Sequence, residues 1–132
     1  MPLFAGIRAG ALYGKAMASF HRARFADAAN LLERNLRLDP DHERRELVYA
    51  YLGRCYLALG RDAEAVDALN KAHQPFSLRS DSLSNEFEQQ EFLQFLEAFS
   101  RALMRIGQGE RARQIAQQAE LYARTNVKGG RG

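Results

Sequence analysis

The chain has 132 residues, 27% of them charged and 46% hydrophobic, with a formal net charge of +3 at pH 7 and no tryptophan. These are the proportions of one ordinary soluble domain with a modest core. The small positive excess does not by itself argue for nucleic acid, and a single cysteine, Cys55, excludes an internal disulfide.

The N-terminal stretch MPLFAGIRAGALYGKAMASF is apolar but interrupted by Arg8 and Lys15. It holds no apolar run long enough for a signal sequence or a membrane span, so a soluble, cytoplasmic protein is expected. A first helix is predicted from about Phe4 to Arg22. A second, Phe25 to Leu38, carries Phe25, Ala28, Leu32 and Leu36 on one side. Asp39-Pro40 ends it, because proline disfavours helix in the residue before it.

A third helix is predicted from about Glu43 to Leu59 and a fourth from Asp62 to about His73. Between Tyr49 and Ala72 the spacing of Tyr49, Leu52, Gly53 and Tyr56 makes one helical face, Gly60 breaks it, and Ala65, Leu69 and Ala72 make a second. The stretch His73 to Ser84, HQPFSLRSDSLS, reads as a loop and as the most exposed internal segment, a surface connector in preference to a functional insertion. A long helix follows, from about Asn85 to Ile106, with Phe92, Leu93 and Phe95 adding apolar surface beyond one stripe. Gly107 and Gly109 make a turn. The last helix, Glu110 to Arg124, buries Ala112, Ile115, Ala116, Ala119, Tyr122 and Ala123. It presents Arg111, Arg113, Gln114, Gln117, Gln118 and Arg124 as a polar outer cap. Residues 127–132 are expected to be a disordered tail.

The same columns recur. Gly53 shifts back 37 positions to Ala16 and forward 47 to Ser100; Gly60 goes to Ala23 and Gly107, Ala65 to Ala28 and Ala112, and Ala72 to Asn35 and Ala119. All but Asn35 are small, as closely paired helices require. The middle unit, Tyr49-x2-Leu52-Gly53-x2-Tyr56 followed by Ala65-x3-Leu69 and Pro75, resembles the tetratricopeptide repeat. Tyr49 stands in the tryptophan slot and Leu69 in the phenylalanine slot. The first unit departs from the pattern at Leu12, Lys15 and Ser19. The resemblance implies an all-α, right-handed superhelix of three helix–turn–helix repeats, at about 10–41, 46–76 and 85–124 of a domain spanning 1–126.

Chemistry-bearing motifs are sparse. His21, His42 and His73 lie in separate segments without ligand-spaced partners, so neither metal nor cofactor is expected. No nucleophile elbow, Walker or dinucleotide fingerprint occurs. Glu86, Glu88 and Glu91 sit at a helix start, where acids are favoured electrostatically, so they do not argue for catalysis. Cys55 is expected to be a buried, inert thiol, with a reactive one as the alternative.

The resemblance further implies a non-catalytic adaptor that binds a peptide or helix of a partner protein in a concave groove. Carried over slot by slot, that groove is lined by Tyr13, Met17 and His21, then Ala50, Arg54 and Leu57, then Gln94, Glu97, Arg101 and Met104, with Arg105 at its edge. Tyr13 and Met17 could equally be core, and the arginines solvated or paired with Glu97. The slots that clamp terminal carboxylates in one family subtype hold Tyr13, Met17, Tyr51, Gln94 and Ala98, none of them basic. Arg54, Arg101 and Arg105 together favour an acidic or C-terminal protein segment. Self-association of stacked units into homo-oligomers is the alternative; binding to nucleic acid or membrane is not expected.

Overall fold

The structure, a computed structural model, describes residues 2–126, with side chains from Gly6 onward. Six helices follow in order: α1 (Pro2–His21), α2 (Phe25–Leu38), α3 (Arg45–Ala58), α4 (Asp62–Arg79), α5 (Glu86–Arg105) and α6 (Gly109–Asn126). A single 3-10 turn, Ser80–Ser82, joins α4 to the α5 segment, and no strand occurs among the described residues. The helices pair as α1–α2, α3–α4 and α5–α6, and the pairs stack in sequence through α2–α3, α4–α5 and α3–α5 contacts. The expected tail, 127–132, lies outside the described residues.

Each pair is closed by the same turn. Ala23, Gly60 and Gly107 have φ of 61°, 77° and 85°, the left-handed conformation that reverses a chain after a helix. Their N–H groups donate to Phe20, Leu57 and Met104, and the next N–H groups, of Arg24, Arg61 and Gln108, reach back to Ser19, Tyr56 and Leu103. These three Schellman turns obey the 37 and 47 residue shifts bond for bond. The first unit makes its turn without glycine, at the steric cost of a Cβ in that region.

The small columns are the contact points inside the pairs. Ala28, Ala65 and Ala112 are wholly buried. A Cβ on Gly53 would lie 2.4 Å from Leu69 Cγ, so only glycine admits the approach of α3 to α4. Ser100, in the Gly53 column, donates its hydroxyl to the Ala112 carbonyl at 2.9 Å. Asn35, the polar exception among small residues, is buried and donates to the Ala9 carbonyl at 2.6 Å, clipping α2 to α1. Its amide therefore meets the partner that burial demands.

Two expectations fail. The segment 73–84 is not an exposed loop: α4 continues through Pro75 to Arg79. An internal proline costs about 3 kcal/mol. Offsetting it, Phe76 is buried between Phe92 and Phe95, with ring centroids 4.8 and 5.2 Å away, which contributes about 1.5–3 kcal/mol before the specific ring contacts are added. Arg79 also pairs with the buried Glu46 at 2.6 Å. The second failure concerns two residues of α6. Arg113, Gln114, Gln117 and Arg124 are exposed as expected, but Arg111 and Gln118 turn inward onto α4: Arg111 donates to Asn70 at 2.7 Å, and Gln118 bonds His73 at 2.8 Å and donates to Ser77 at 3.0 Å.

Candidate functional site

The first helix of each pair, α1, α3 and α5, contributes to a common trench. At one end a pocket of about 570 Å³ is lined by Phe20 and Phe25, by Arg54 and Leu57 of α3, and by Gln94, Glu97, Arg101 and Arg105 of α5. At the other end lies a pocket of about 450 Å³. Tyr13, Tyr51, Phe76 and Phe87 give it aromatic walls, and Arg44, Arg79, Glu88 and Glu91 give it charge. Phe87 is 63% exposed, an apolar ring held open to solvent at the start of α5. Asn85 caps that helix by accepting from the Glu88 N–H at 2.8 Å.

A hydrogen-bonded bar separates the two pockets. The Arg54 guanidinium donates to Glu91 at 3.0 Å and to Gln94 at 2.8 Å. It also lies over the rings of Phe20 and Tyr51, 4.9 and 5.2 Å from their centroids. The Tyr51 hydroxyl donates to the same Glu91 carboxylate. Burial, then that carboxylate bond, pushes the Tyr51 phenol above its ordinary range. Burial followed by Glu91 also raises Tyr13, against an opposing pull from Arg44. Cys55, beneath the bar, is buried and pushed up to about 12, so its thiol stays protonated and unreactive at neutral pH.

The groove residues named from sequence separate into distinct environments. Arg54, Glu97, Arg101 and Arg105 share one pocket, while Tyr13 lines the other. Met17 packs against the core, and His21 is exposed with its ring edge on Phe20 at 5.4 Å. The three arginines differ in partners: Arg54 is paired with Glu91, Arg105 reaches Asp62 at 3.4 Å, and Arg101 has no ion pair among the described residues. Glu97 does not pair with either arginine of its own helix. Sequence reasoning missed Glu91 and Phe20 as groove residues and named Tyr51 only as a non-basic clamp slot. The available signal was a common offset of 40 joining Tyr51 to Glu91 and Arg54 to Gln94. No group of three potential metal ligands occurs among the described residues, and no described helix is long and apolar enough to cross a membrane.

Neither a protein-family model nor a curated protein matches the sequence. Two solved structures do, both crystal structures of nearly identical TPR-like repeats from a Podosopora anserina kinesin light chain. One, a Q17M form, aligns with a TM-score of 0.57 at 22% identity over 88% of this chain and 55% of that chain. The other aligns with a TM-score of 0.56 at 23% identity over 95% and 58%. The chain thus spans little more than half the length of the structures it matches. Triplicated turn geometry and these alignments together identify its fold as a three-unit, tetratricopeptide-like helical solenoid.

Proposed function

We propose that the protein is a non-catalytic interaction scaffold that grips a peptide or helix of a partner protein in the trench formed by α1, α3 and α5. The observation that carries this reading is Arg101, an exposed guanidinium without an ion pair among the described residues, one helical turn from the half-exposed Arg105. A guanidinium in that setting suits a carboxylate, so the partner segment carries acidic residues or a free C-terminus. The aromatic pocket beside Tyr13 supplies room for an apolar anchor on the same segment. Arg54 has a different role: with Glu91, Gln94 and two rings around it, it holds the trench floor and is not spare for a ligand.

Selection of peptides from a random displayed library on the immobilised protein tests the reading. Sequences pairing a bulky apolar residue with acids should be enriched. Arg101→Glu should weaken the selected peptides about tenfold or more, as should raised salt, because rim charges act on encounter and register. Arg113→Glu, on the exposed surface beside Glu110, should not. Peptides without acidic enrichment, or equal binding by all three proteins, would reject the basic trench.

A further inference from the structure

We propose that the end face of the first unit, made by α1 and α2, docks an acidic helix of a partner protein. This goes beyond the trench reading and does not depend on it. It also leaves the trench open, because none of the residues it uses lines either trench pocket.

The third unit shows what such a face receives. α1 and α5 begin and end at positions 84 apart, the two column shifts taken together. On α5, Phe92, Phe95 and Phe99 are wholly buried, and α4 covers them. Ring centroids lie 4.8 Å apart for Phe76 and Phe92, and 5.4 Å apart for His73 and Phe99. The later residue of α4 meets the earlier one of α5, so the covering helix runs antiparallel. Carried back 84 positions, the three phenylalanines become Arg8, Ala11 and Lys15, all exposed on α1. Gln118, which bonds His73 at 2.8 Å, becomes Arg34, also exposed. The face that takes a helix in the third unit is thus repeated in the first, with cations in place of rings.

Charge complementarity selects the occupant. Residues 1–38 hold six bases and two acids, a net +4, while the rest of the chain carries −1. Solubility alone is served by charges of both signs, whereas a field of one sign steers a partner of the other. Arg8, Lys15, Arg34 and Arg22, in the Ile106 column, share this face with a single acid, Asp27, in the Arg111 column. None of the five has an ion pair among the described residues. Glu33, the other acid of the stretch, is taken by the Tyr56 hydroxyl, and Asp39 falls in the Phe76 column, which faces the following unit. The template also sets the spacing. A carboxylate at the His73 position of the docked helix would lie against Lys15 and Arg34, and one three residues later, at the Phe76 position, against Arg8. Ala11 between them lets the helix approach closely, and Ile7, 62% exposed, adds apolar surface beside Arg8.

Fluorescence anisotropy with a labelled, alanine-rich helical peptide carrying glutamates at i and i+3 tests this. It should bind at low salt and weaken as salt rises. A peptide of the same composition with its glutamates on opposite faces should bind about tenfold more weakly or less. Arg8→Glu and Lys15→Glu, both at exposed positions, should each cost about tenfold or more while leaving the helical circular dichroism intact, and Arg113→Glu should cost nothing. No binding, equal binding of the two peptides, or a loss with Arg101→Glu instead of Lys15→Glu, which would seat the peptide in the trench, would overturn the proposal. So would tighter, Lys15-dependent binding of a short duplex RNA or of phosphatidylserine vesicles, which would assign the face to phosphate groups.

Discussion

At Gly53 a single methyl group decides how closely two helices can meet. The added Cβ would stand 2.4 and 2.6 Å from Leu69 side-chain carbons and 3.2 Å from the Ala65 carbonyl oxygen, and Leu69 is itself wholly buried, so it has nowhere to swing. Alanine favours a helix over glycine by about 1 kcal/mol, yet overpacking costs about 1–3 kcal/mol. Gly53→Ala should therefore lower the melting temperature; an unchanged value would mean that α4 yields freely. Tyr51 makes a different prediction. Its phenol titrates higher in the folded chain than the ordinary 10.0. Above that pH the unfolded chain releases a proton that the folded chain keeps, so stability falls as pH rises, by up to about 1.4 kcal/mol per pH unit from this group, and is fully present below pH 10. Urea unfolding at pH 8 and 10.5 should show the loss, and Tyr51→Phe should reduce it. An equal loss in both proteins would remove Tyr51 from the account.

Among the elements, α2 was legible to the residue, Phe25–Leu38, because local signals bound it: a tight turn before and Asp39-Pro40 after. α4 was not. Pro75 and the serines after it are stop signals in any local reading, and what overrides them is the Phe92–Phe95 surface of another helix. Two polar residues of α6 misled for a related reason, since Arg111 and Gln118 spend their hydrogen bonds on α4 and not on water. Phe76 holds the extension, so Phe76→Ala, a loss of about 3–5 kcal/mol in a packed core, should loosen the last turn of α4. Trypsin should then cut after Arg79 first, whereas the parent chain resists there because Arg79 lies at a helix end paired to Glu46. Equal cutting of both proteins would mean that Phe76 does not pin the turn.

For the whole molecule, three units were legible from the columns, since turns and close contacts repeat in register with small residues. The links between units were not, because each is a one-off pairing such as Arg54 with Glu91. Those links are unevenly shared. The second and third units are tied by the Arg54 bar, by Arg111 to Asn70, by Gln118 to His73 and Ser77, and by the buried phenylalanines. The first and second are tied by Tyr56 to Glu33, by rings meeting edge-on around Tyr51 and by the Arg54 guanidinium over Phe20, with Met17 where the Arg54 column would hold a charge. In a linear array, stability is nearly a sum over such neighbouring contacts. Amide hydrogens of α1 and α2 should thus exchange faster than those of α3 to α6, and uniform protection would contradict the gradient. Under tension the same asymmetry makes the chain a two-stage spring. Pulled from its ends, it should give way first between α2 and α3. That would pay out roughly 120 Å of slack from residues 2–38, at about 3.4 Å per residue, while the strut through Arg54 holds the rest taut.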